Sequence, residues 1–216
     1  MITDLSQIVV LVARENNGTM QLLGTSFIVG KNGLFATARH VVGDNTNNLY
    51  ILLPHINNID DYQDTSNNRC NFVKASVSEI NPVTDLCILK TDLNYPQDAI
   101  LRISGLDEVL VGDKVDIYGF PHCVMGRRVL TYQKAEVGAK MLLECDGVLS
   151  KYATLNIQTR PGQSGSLIYN RTKNSIIGLL IGSYAPNSGV IIAGINPHEL
   201  NQTSYCISAN YINEML

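Results

Sequence analysis

The sequence is poor in charge. Lys, Arg, Asp and Glu supply 16% of its 216 residues, against about 25% in an average soluble domain. The formal net charge is −3, and no basic run is longer than Arg127-Arg128. Proteins held on phosphate backbones need clustered Lys and Arg, so no nucleic-acid partner is expected. An anionic membrane surface is not expected either. Long apolar runs are missing too. Ile8-Val9-Val10-Leu11-Val12-Ala13 is typical of the longest, whereas a membrane span needs about 18 residues. The first residues, Met1 to Ser6, have neither a basic start nor an apolar stretch, which gives the expectation of a cytoplasmic protein without a signal peptide. The 5 cysteines are odd in number and form no CxxC pair. Neither a zinc ribbon nor a disulfide framework is expected, and no cofactor or metal.

Short β-rich segments and turns dominate the chain. Apolar or alternating stretches at 8–12, 22–29, 34–37, 49–53, 71–80 and 86–89 are separated by Asn, Gly and Pro. Residues 55–71 are rich in Asn and Asp and read as a solvated loop. A second set follows at 116–118, 128–132, 140–145, 152–158, 167–169, 175–181, 190–195 and 205–208. Only the tail from residue 210 reads as helix. Short strands at regular spacing predict an all-β protein of two barrels meeting near residues 103–112.

Chemistry concentrates in three places. His40 follows Leu34-Phe35-Ala36-Thr37-Ala38-Arg39 directly. A histidine at a strand end is commonly structural, yet it is the side chain best suited to move a proton near neutral pH. Asp85 opens the apolar run Leu86-Cys87-Ile88-Leu89. It either caps the Asn81-Pro82 turn or pairs with a donor, because a buried bare carboxylate is costly. Asp60, Asp61 and Asp64 sit in the polar loop and read as solvated. Finally, Gly162-Gln163-Ser164-Gly165 permits a tight turn whose N–H groups converge on one hollow. Such a hollow can hold an oxyanion.

Each feature alone has an ordinary structural explanation. Together they form an ordered set: His40, then Asp85 after 45 residues, then Ser164 after 79 more. The first two fall in one half of the chain and Ser164 in the other, so the site would lie in a cleft between barrels. This order differs from that of α/β-hydrolases and subtilisins.

Gly24-Thr-Ser-Phe-Ile-Val, Thr37-Ala-Arg-His40-Val-Val, Asp85-Leu-Cys-Ile-Leu, Val115-Asp-Ile-Tyr-Gly119-Phe-Pro121 and Gly162-Gln-Ser164-Gly165 resemble the motifs of chymotrypsin-fold (trypsin-like) serine peptidases. The likeness is nearest to the bacterial HtrA-type and glutamyl-endopeptidase-like branch, protease domain only, over residues 7–213. It implies two six-stranded antiparallel Greek-key barrels, residues 1–105 and 106–216, and a short C-terminal helix. It also implies a serine endopeptidase acting through an acyl-enzyme. Ser164 would be nucleophile, His40 general base and Asp85 its orienting carboxylate. Gly162 and Ser164, with Gln163 nearby, would form the oxyanion hole. Gln158, Thr159, Arg160, Ile181, Gly182 and Ser183 would line the substrate pocket.

Departures from the family pattern refine the expectation. Gln163 stands where digestive enzymes carry an Asp that pairs with a newly cut N-terminus. Activation by N-terminal cleavage is therefore not expected. Gln158 occupies the pocket base, so a preference for Lys or Arg is not expected, and a small or medium uncharged side chain fits better. The substrate would be a protein or peptide. The activity would be restrained by dependence on a regulatory partner protein or on a loop around residues 144–163 becoming ordered. The alternative is a catalytically silent chymotrypsin-like fold that binds proteins. The complete His40, Asp85, Ser164 set argues against it.

Overall fold

The computed structural model describes residues 4–184 and 203–216; the expected strand at 190–195 lies outside them. Twelve strands close into two six-stranded antiparallel barrels. The first holds β1 (Val9–Asn16), β2 (Thr19–Gly30), β3 (Leu34–Ala38), β4 (Leu49–Leu52), β5 (Phe72–Asn81) and β6 (Leu86–Lys90), in the order β1-β2-β3-β6-β5-β4. The second holds β7 (Lys114–Gly119), β8 (Thr131–Cys145), β9 (Val148–Leu155), β10 (Leu167–Asn170), β11 (Ser175–Tyr184) and β12 (Thr203–Ser208). Its order, β10-β11-β12-β9-β8-β7, is the same Greek-key circuit read in reverse. The sequence carries no visible repeat, so the likeness of the barrels lies in topology alone.

Local chemistry accounts for the elements. Strands β1 and β2 turn through Asn17-Gly18, and β8 and β9 through Asp146-Gly147. All four residues have positive φ, as a two-residue type I′ hairpin requires. Segments 128–132 and 140–145, expected as separate strands, are not separate. Residues 131–145 form one long β8, whose residues from 144 continue into the hairpin, so about half of the expected loop around 144–163 is strand. The helical tail shrinks to α2 (Asn210–Asn213), and α1 (Arg39–Val42) is a single turn after β3. No helix among the described residues is long and apolar enough to cross a membrane.

The first barrel is filled by Leu11, Phe27, Phe35, Leu49, Ile51, Leu86 and Ile88, all essentially inaccessible. The second has its own core of Val115, Ile117, Leu155, Ile168, Ile177 and Leu180. Tyr118, Phe120, Leu167 and Leu179 of the second barrel instead join the apolar cluster of the first. The two barrels thus share a packed face. The 55–71 segment is a loop, as expected, but it also reaches across that face. Gln63 accepts from Leu130 N–H and donates to Leu130 O, both at 2.8 Å, and Arg128 donates to the carbonyls of Asn67 and Arg69.

Candidate active site

His40 sits on α1, placed by strand β3 immediately before it. Asp85 precedes β6, which pairs with β3 so that Ala38 lies opposite Leu86. That register brings the two residues together across neighbouring strand ends. Asp85 Oδ2 lies 2.5 Å from His40 Nδ1, and Oδ1 accepts the His40 backbone N–H at 2.9 Å. The Asp85 carbonyl also accepts from Arg39 N–H. One residue therefore fixes both the ring and the backbone of the histidine. Asp85 holds a positive φ of 56°, a conformation Asp tolerates better than most residues. The Asn81-Pro82 turn does not use it as a cap: Asn81 Oδ1 accepts from the N–H groups of Val83 and Thr84.

The Asp85 charge is felt nearby. The Cys87 thiol is pushed up to about 12, chiefly by burial and further by Asp85. Tyr205 is raised by the same two causes. Cys123 and Cys206 are also pushed up to about 12 by burial, which leaves these three thiols protonated and inert near neutral pH.

Ser164 comes from the second barrel, in the turn before β10. Arg160-Pro161-Gly162-Gln163 is closed by Gln163 N–H donating to Arg160 O, with Gly162 at φ +93°. Proline second and a positive-φ glycine third define a type II turn. A Cβ on Gly162 would also lie 2.7 Å from Cys123 Sγ and 2.8 Å from Phe120 O. The central peptide is pinned, because His122 N–H donates to Pro161 O at 2.6 Å. In a trans peptide the Gly162 N–H then points the opposite way. The Gly162 carbonyl accepts from Thr25 Oγ1 at 3.0 Å. The Gln163 N–H is used within the turn, which leaves Gly162 and Ser164 N–H without a protein acceptor among the described residues.

Two residues that sequence reasoning gave no role hold this turn. Thr25 of β2 donates to Gly162 O, accepts from Phe120 N–H through its hydroxyl, and donates its own N–H to Ser164 O. It is the joint between barrels, and its only trace in the sequence is the Gly24-Thr25-Ser26 motif. Gln133 of β8 bonds the buried side chain of Gln163. No local pattern marks it.

His40, Asp85 and Ser164 border one cavity of about 380 Å³ between the barrels. Thr159, Arg160, Ile181 and Gly182 line it with them, joined by Pro161, Leu180 and Tyr205. Gln158 follows the end of β9, and Ser183 lies in β11 opposite Ser204. The wall is neutral and polar at Thr159, whose N–H and hydroxyl both meet Ser204 Oγ at 3.1 Å. The Ser164 hydroxyl donates to Ile181 O at 3.0 Å. Among the described residues no group of three or more His, Cys, Asp or Glu could hold a metal ion.

The family model for a trypsin-like peptidase domain matches residues 24–179, which contain all three of these side chains. This chain belongs to the trypsin-like peptidase family. Solved structures agree in fold. The HtrA-type protease AlgW with a decapeptide superposes with a TM-score of 0.70 at 15% identity, over 99% of this chain and 65% of that one. The chain thus spans just under two thirds of that protein's length. The MamO protease domain from Magnetospirillum magneticum gives 0.68 at 15% identity, over 100% and 99%. The active form of the Rv3671c protease from M. tuberculosis gives 0.69 at 17%, over 98% and 80%. No curated protein matches the chain in sequence.

Proposed function

We propose that this trypsin-like peptidase is a serine endopeptidase that cleaves a protein or peptide through a His40–Asp85–Ser164 triad. The observation that carries the reading is the double contact of Asp85 with His40 in the cavity that Ser164 borders. Ser164 Oγ leaves Ile181 O, turns to His40 Nε2 and attacks the scissile carbonyl while His40 takes its proton. Asp85 stays ionised and stabilises the imidazolium. The Gly162 and Ser164 N–H groups receive the oxyanion. Collapse breaks the C–N bond, and the leaving amine takes the proton from His40. Water then repeats the sequence on the acyl-enzyme and frees Ser164.

The neutral pocket wall supports a small or medium uncharged side chain before the cut. Arg160 also borders the cavity, with its guanidinium donating to Thr159 O at 3.3 Å. The Gln163 side chain satisfies the turn without a charged N-terminus, which supports activity without N-terminal processing.

A silent binding fold is the competing reading, and the resting bond from Ser164 Oγ to Ile181 O favours it. A fluorophosphonate probe separates the two. We expect a single adduct on Ser164, absent in Ser164→Ala. Unlabelled wild-type protein that nevertheless retains a peptide ligand would establish the silent fold.

A further inference from the structure

The β8–β9 hairpin runs past the end of its barrel. β7 pairs with β8 only as far as Glu136, and β12 pairs with β9 only from Tyr152 onward. Beyond those points residues 139–145 pair only with residues 148–154 of β9, and residues 148–151 only with β8. The outer edge of β8 is therefore open among the described residues. Open edges invite another strand and are usually covered, bulged or broken by proline. This one has no proline and runs Ala139-Lys140-Met141-Leu142-Leu143-Glu144-Cys145. Leu142, Leu143, Val148 and Leu149 on the hairpin are exposed by 58%, 39%, 50% and 57%.

The turn fixes which backbone groups point outward. Asp146 and Gly147 have φ of 51° and 79°, the type I′ signature, so Cys145 and Val148 are the hydrogen-bonded pair that closes the hairpin. Bonded and non-bonded pairs alternate from there. Leu143 and Met141 use their groups within the hairpin, whereas Glu144, Leu142 and Lys140 direct N–H and C=O to the open edge.

We propose that this edge is the contact of a symmetric dimer, in which β8 of a second copy pairs antiparallel with it about an axis at Leu142. The occupant is set by self-complementarity. Centring on Leu142 sets outward-facing residues 140, 142 and 144 against the same three in the second copy. Lys140 then meets Glu144 twice, and on the other face Met141 meets Leu143 twice. Lys140 and Glu144 are the only charges on the edge. Moving the axis to Lys140 or Glu144 opposes like charges, and moving it to Met141 or Leu143 sets one charge against Leu142. Lys140 Nζ rests on Val109 O at 3.1 Å, beside exposed Leu110 and Val111, which extend the apolar rim of the same edge. The result is a continuous sheet of order β9-β8-β8-β9. None of these hairpin residues borders the active-site cavity, so both sites stay open.

Sedimentation velocity of the intact chain over a range of concentrations tests this. The expected species has twice the 23.7 kDa of the monomer. Lys140→Glu and Glu144→Lys each create two like-charge pairs and should weaken association about tenfold or more. The double swap restores the unlike pairs and should restore the dimer. Leu142→Cys should form a disulfide-linked dimer on mild oxidation, because Cα atoms of a hydrogen-bonded antiparallel pair lie about 5.5 Å apart, within disulfide range. Wild type should not, since Cys145 falls opposite Ala139. Circular dichroism checks that each variant folds. A monomer at every concentration overturns the proposal. So does a double swap no better than the singles, or a wild-type dimer linked through Cys145.

Discussion

Gln163, beside Ser164, donates its Nε2–H to Oε1 of Gln133 on β8, 2.6 Å away. Its own Oε1 accepts the Arg160 N–H at 2.7 Å. One neutral side chain thus ties the Ser164 turn to the wall of its barrel and holds the turn closed at both ends. Gln163 is buried, so removing Gln133 leaves the Gln163 amide without its acceptor.

Gln133→Met keeps the length of the side chain and deletes the acceptor. Loss of a partner for a buried polar group costs about 1–3 kcal/mol. If that cost falls on the shape of the turn, kcat should drop about tenfold or more while KM changes little. Steady-state hydrolysis of a peptide substrate measures the split. A change confined to KM would place Gln133 in substrate binding instead.

Asp85→Asn should leave the fold intact, because Asn also tolerates the positive φ that Asp85 adopts. Its amide can still accept from His40 N–H, but it no longer stabilises the imidazolium and it favours the wrong tautomer of His40. In the trypsin-like template this loss is about 10⁴ in kcat. Fluorophosphonate labelling rates, compared at equal thermal stability, test it. Labelling at the wild-type rate would remove Asp85 from the triad.

His55 links the crossing loop to the second barrel. It lies against Gln63, 3.1 Å from Oε1, and beside the Phe120 ring. Burial first, and the Arg128 charge second, hold its pKa below the ordinary 6.5; the Gln63 bond opposes them. In the unfolded chain His55 binds a proton at higher pH than in the folded one. Its contribution to stability is therefore complete above pH 6.5 and is lost as pH falls from there to the depressed folded value. Urea unfolding of wild type and His55→Gln between about pH 7.5 and 5 should show a steeper loss for wild type. Parallel slopes would mean that the loop does not sense this proton.

The fold class was legible, and so was the placing of His40, Asp85 and Ser164 beside strand ends, because each leaves a local mark. Strand length, alternating burial and turn residues are short-range properties. So are the Gly162-Gln163-Ser164-Gly165 turn and the acid that opens an apolar strand. The merging of residues 131–145 into one strand was not legible, because polar Gln133, Lys134 and Glu136 can lie on an exposed strand face as readily as in a loop. Gln133 and Thr25 were likewise silent. Their importance comes from partners 30 and 137 residues away, and no window of sequence contains such pairs.

The sequence by itself determined which residues could perform chemistry and on which barrel each would stand. Hydrophobic period and turn chemistry act through neighbours in the chain, and that information is complete before folding. Tertiary structure alone decided that Asp85 grips both the ring and the backbone of His40, that His122 pins the Pro161 carbonyl, and that Ser164 rests on Ile181. Each of these is a hydrogen bond between groups brought together only when two closed barrels pack, so its geometry is a property of the packed face and not of any segment.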